Sequence, residues 1–145
     1  MTNEYQDGVS EEMISALVYK FYDVIRDDTT LGPIFNERIT EWDHHLQTMC
    51  DFWSSITLKT RRFQGRPMLK HQLIADRTRP DNFARWLELF KQAVEEEIPP
   101  HLQMEFLEPA ARIAQSLQIG MFQVPFDKKE VQNQLNLLEG KNEVA

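Results

Sequence analysis

Cysteine is almost missing from this chain. Cys50 stands alone, which excludes an internal disulfide and fits a reducing compartment. No apolar run reaches the roughly 20 residues that a membrane-spanning helix needs. The first ten residues are polar and acidic, without the basic-then-apolar order of a secretory signal. The cytoplasm is therefore the default expectation. Basic charge is scarce as well: 16 Lys and Arg against 23 Asp and Glu leave a net charge of −7, which argues against a nucleic-acid surface. Arg61-Arg62 reads as solvated loop. There is no sustained period-two alternation and no Asn-Gly or Asp-Gly pair, so strands are not expected. Also missing are a phosphate loop, a dinucleotide glycine pattern, a zinc-type Cys pair and a His-Glu-x-x-His run. Glu88 with Glu95, Glu96 and Glu97 could evoke a di-iron bundle, but such sites need Glu-x-x-His on two helices. These glutamates read as a solvated face.

What is present is helical period in a chain of 145 residues, enough for one domain with a sizeable core. We expect that core over about residues 10–124, with 125–145 as a polar tail of no assigned role. Ser10, followed by Glu11 and Glu12, predicts a first helix whose apolar stripe is Ile14, Leu17, Val18, Phe21, Val24 and Ile25. Asp27 to Pro33 breaks it, and Pro33 opens a short turn through Ile34 and Phe35. Thr40, with Asp43 placed for a capping box, predicts a second long helix bearing Trp42, Leu46, Met49, Trp53 and Ile56. Residues 59–66 read as loop and Pro67 as the start of a short helix. A third long helix, capped by Asp81, carries Phe83, Trp86, Leu87, Phe90, Ala93 and Val94. Pro99 and Pro100 separate it from a fourth, with Leu102, Phe106, Ala110, Ile113, Leu117 and Met121. The class is all-α, which by itself names no function.

Four histidines are the first candidates for chemistry. At about 100° per residue, His45 falls at the edge of the stripe near Phe52, whereas His44 falls with Thr48, Asp51 and Ser55. His45 is expected inward and His44 outward. His71 sits one turn into the short helix, between Leu69 and Leu73, where a loop-rich segment can press against a flat ligand. His101 follows two prolines and is expected at the surface. Tyr22 lies beside the first stripe, with Tyr19 turned farther away, and a buried Tyr usually finds a partner for its hydroxyl. Trp86 faces inward and its indole can only donate. On the residues alone, Tyr22 and Trp86 read first as core.

Taken in order, five segments resemble the third group of truncated haemoglobins. They are Phe21-Tyr22-Asp23-Val24-Ile25-Arg26-Asp27, Leu31-Gly32-Pro33-Ile34-Phe35-Asn36, His44-His45 through Met49 to Phe52-Trp53, Pro67-Met68-Leu69-Lys70-His71, and Phe83-Ala84-Arg85-Trp86-Leu87-Glu88-Leu89-Phe90. Each alone is weak, but their shared order and spacing from about Ile14 to Met121 are specific. Helices without paired glycines between them also suit that group.

The resemblance implies a shortened globin, two helices packed over two around haem b. It makes His71 the iron ligand and Phe35 a ring against the porphyrin. Tyr22, His45 and Trp86 become the distal pocket, lined by Met49 and Phe52, with Met68 a further haem contact. Arg77 or Arg79 are candidates for the propionates. The implied function is reversible binding of dioxygen, nitric oxide and carbon monoxide, the pocket's donors deciding what the iron holds. An alternative is an enzyme that detoxifies nitric oxide or peroxide with electrons from an external reductase. A third reading, a haem-free helical interaction module, is opposed by His71 and the intact donors.

Overall fold

The computed structural model describes residues 8–63 and 79–122. Within them the chain forms five α-helices and one 3-10 turn: α1 (Glu11–Asp27), α2 (Gly32–Arg38), α3 (Trp42–Leu58), α4 (Pro80–Glu97), the turn Pro100–Leu102, and α5 (Met104–Phe122). The described residues contain no strand. None of their helices is long and apolar enough to cross a membrane.

Local chemistry starts and stops these helices. The Ser10 side chain accepts a hydrogen bond from the Met13 N–H at 3.2 Å, capping α1, and Glu11 and Glu12 occupy its positive first turn. At the other end Asp28 turns extended. Its carboxylate accepts the backbone N–H groups of Thr30 (3.1 Å) and Leu31 (2.9 Å), which tightens the path into α2.

Three helix starts differ from the sequence-based expectation: α5 begins only at Met104, since Pro100–Leu102, expected as its opening, form the 3-10 turn, and α3 and α4 also shift. α3 begins at Trp42 with Glu41 as its cap residue and no side-chain cap bond, so Thr40 and Asp43 build no capping box. α4 begins at Pro80, one residue before the expected cap Asp81. Proline's fixed φ suits a first helical position, and Asn82 supplies the reciprocal bonds. Its Oδ1 accepts the Arg79 N–H at 2.7 Å, and its own N–H donates to the Arg79 carbonyl at 2.9 Å.

The stripes then pack as two layers, α1 and α3 over α4 and α5. α1 lies on α2, α3 and α4, and α5 lies on α3 and α4. One ring from each long helix meets at the centre. Phe21 (α1) stands edge-on to Phe90 (α4), with centroids 5.1 Å apart at 89°. Trp53 (α3) stacks on Phe90 at 5.2 Å and 15° and touches Phe106 (α5) at 5.6 Å. Such pairs add about 0.5–1.5 kcal/mol beyond the area they bury. Phe21, Phe90 and Phe106 are all but completely buried.

Contacts distant in sequence lock the frame. Arg85 on α4 donates to Asp28 Oδ1 from Nη2 at 2.6 Å and Nε at 3.1 Å, fastening α4 to the α1–α2 corner. These bonds hold the Asp28 carboxyl below the usual carboxylate range. After α3 the chain leaves through two left-handed residues, Lys59 (φ 61°) and Arg61 (φ 63°). Arg62 then donates to Glu11 at 2.6 Å and to the fully buried Ser54 at 2.6 Å, while the Phe63 N–H donates to Ser55 Oγ at 2.9 Å. The start of the segment that leads to Pro67 is thus tied to α1 and α3.

Gly32 sets how closely α2 meets α1. A Cβ there would lie 2.7 Å from the Arg26 carbonyl oxygen, a backbone atom that cannot turn aside. Gly32→Ala should therefore cost about 1–3 kcal/mol, the range of overpacking, and lower Tm by roughly 3–10 °C. A melt that matches the parent within a degree would mean that the corner yields freely.

Candidate functional site

Adjacent residues on α1 serve opposite sides. Phe21 turns toward α4, edge-on to Trp86 at 5.5 Å as well as to Phe90. Tyr22 turns toward α2 and α3. Its ring is 6.1 Å from Phe35, 6.1 Å from Trp42 and 5.0 Å from His45, perpendicular to the imidazole at 90°. Tyr22 is buried. Burial pushes its phenol far above the ordinary tyrosine value, so the hydroxyl keeps its proton throughout the physiological range.

On α3, His45 is half-buried with its Nε2 atom inside, and His44 is exposed. Met49 and Phe52 follow His45 at helical spacing, half-buried against the core. Phe52 meets Trp53 at 5.4 Å and Phe63 at 5.0 Å, both edge-on. Trp86 on α4 stacks on Phe90 at 5.3 Å with rings nearly parallel (3°). It reaches Tyr22 through Phe21, which touches both rings. One phenol and one imidazole face each other among rings and a thioether. Such a set of side chains has the chemistry to lie against a flat, largely apolar group with a polar centre.

The sequence-predicted residues thus divide. Tyr22, Phe35 and His45 come together, Met49 and Phe52 continue the same wall, and Trp86 stands one ring away behind Phe21. Met68, His71, Arg77 and the short helix expected from Pro67 lie outside the described residues. Arg79 is exposed and pairs with Asp81 at 3.6 Å. His101 is exposed in the 3-10 turn. Among the described residues, no cluster of three His, Cys, Asp or Glu side chains could hold a metal ion.

Sequence reasoning placed Trp42 only in the stripe of α3. The structure puts its ring 5.6 Å from His45 at 87°, with the Arg26 guanidinium 4.3 Å over its centre. Its position three residues before His45 was the available signal, since residues so spaced share a helix face. Arg26 lies on another helix and gave none.

No protein-family model matches the chain. Over 116 residues it is 31% identical to the group 3 truncated hemoglobin ctb of Campylobacter jejuni, covering 77% of this chain and 91% of that protein. The crystal structure of a group III truncated hemoglobin from Campylobacter jejuni superposes with a TM-score of 0.74 at 28% identity, covering 83% of this chain and 98% of the other. A shared fold, joined to identity at this level over most of both chains, places the protein: it belongs to the group 3 truncated haemoglobins.

Proposed function

We propose that the chain binds haem b through His71. On the side faced by Tyr22, His45 and Trp86 it takes up dioxygen and other small diatomic ligands reversibly. The observation that carries this reading is the buried Tyr22 with the His45 imidazole 5.0 Å away and perpendicular, Phe35 6.1 Å from the same phenol, and Met49 and Phe52 following His45 at helical spacing. Haem, when bound, supplies an iron that holds diatomic ligands, which no side chain here can do.

The chain's own residues do the rest. The Tyr22 hydroxyl, held protonated by burial, can donate to a partly negative ligand atom. The His45 imidazole shares the same enclosure. Phe21, Phe35, Met49 and Phe52 keep water out, and in that low dielectric a donated bond is stronger than in water. Phe35 and Met68 would give flat apolar contact to the porphyrin.

The absorption spectrum tests this reading. The purified protein, or the protein titrated with haemin, should show a Soret band that saturates at about one haem per chain. A colourless protein that also refuses haemin would end the proposal.

A further inference from the structure

Where α1 meets α3, side chains of the two helices lie one over another. Arg26 is exposed, Trp42 beneath it is half-buried, and Tyr22 with the His45 Nε2 lies inside. Trp42 precedes His45 by three residues, and helix side chains lean toward the N-terminus, so the imidazole leans toward the indole. The rings meet edge to face at 5.6 Å. The guanidinium of Arg26 sits 4.3 Å over the indole.

Arg26 is itself anchored. Its carbonyl accepts a bond from Asn36 Nδ2 at 3.2 Å and lies against Gly32 so closely that no Cβ would fit. The cation cannot withdraw from the indole by a small backbone shift.

We propose that Arg26 and Trp42 are positioning residues for His45. They hold the imidazole turned onto Tyr22 and so set how far it stays shielded from solvent. The proposal rests on the contacts of these four side chains; only its second measurement, with carbon monoxide, rests on the haem reading above. A cation–π contact at an exposed site is worth about a two- to fivefold shift in an equilibrium. That sets the scale for losing Arg26, and losing the ring as well should do more.

The test uses the protein as isolated, with carbon monoxide present. Histidines are modified with diethyl pyrocarbonate and mapped by mass spectrometry, and the exposed His44 on the same helix serves as the internal standard. Relative to His44, labelling of His45 should rise about two- to fivefold in Arg26→Gln and about tenfold in Trp42→Ala. Trp42→Phe keeps a ring and should retain most of the protection. Flash photolysis then reads carbon monoxide association. It should quicken by similar factors in the same variants, yet change by less than about twofold when His45 is already leucine, because the effect passes through His45.

Unchanged His45 labelling in Arg26→Gln and Trp42→Ala overturns the proposal, as does an association change that persists undiminished when His45 is leucine. If Trp42→Ala does not fold, Arg26→Gln, a surface change, decides alone. A protein that shows the labelling effect but takes up no haem supports the positioning and ends the haem reading instead.

Discussion

Haem should be lost, or held only weakly, once His71 is replaced by glycine. A neutral imidazole is a standard axial ligand for haem iron, and the proposed function gives that place to His71. Both flanks of its segment are anchored. Before it, Arg62 bonds Glu11 and Ser54; after it, Arg79 and Asn82 exchange two hydrogen bonds, one through the Asn82 side chain. Removing a group that only orients a metal ligand typically costs about 10–100-fold in affinity. Removing the ligand itself should cost more. Haemin transfer from the variant to an excess of apomyoglobin, followed by stopped flow, should therefore be faster than from wild type by more than about 100-fold. Added imidazole should slow it again by filling the vacated coordination position. His44→Leu, on the exposed face of α3, should leave transfer unchanged. A His71→Gly protein that keeps its haem as wild type does would show that another residue, with His45 the first candidate, holds the iron.

How far the sequence could be read depended on how local the deciding contact is. Ser10 was legible as a cap because its bond to the Met13 N–H needs nothing beyond four residues. The inward Tyr22 against the outward Tyr19 followed from helical phase alone, and the structure leaves Tyr19 48% exposed while Tyr22 is buried. The same arithmetic separated His45 from His44. At Thr40 and Asp81 the reading slipped by one or two residues, since both are good caps in isolation. At α4 the neighbouring Pro80 and Asn82 offered a better start. Contacts between distant residues were invisible. Arg85 finds Asp28 across 57 positions, and Arg26 finds Trp42 only because α1 and α3 pack together. Nothing in period or composition encodes such partners. They settle how the candidate site is braced, whereas the residues proposed to line it carry a local signature.

Of those lining residues, Tyr22 offers the sharpest test. Its hydroxyl can donate to a partly negative atom of dioxygen in the pocket, and burial keeps that proton in place. Tyr22→Phe keeps the ring, and with it the contacts to Phe21, Phe35, Trp42 and His45, so packing should survive. What disappears is one donor. A hydrogen bond to a charged group is worth about 1.5–3 kcal/mol, and roughly 1.4 kcal/mol is a factor of ten. Oxygen release should therefore quicken by about tenfold to a hundredfold. Carbon monoxide carries far less charge when bound, and its release should change much less. The comparison of the two gases matters because a general loosening of the pocket would speed both, whereas loss of a donor speeds only the one that accepts it. Stopped-flow release of each gas from wild type and variant makes the measurement. Oxygen release that is unchanged or slower in Tyr22→Phe would remove Tyr22 as the donor. The role would then pass to another group in reach of the pocket, such as the indole of Trp86, which Tyr22 would serve by bracing Phe21 between them.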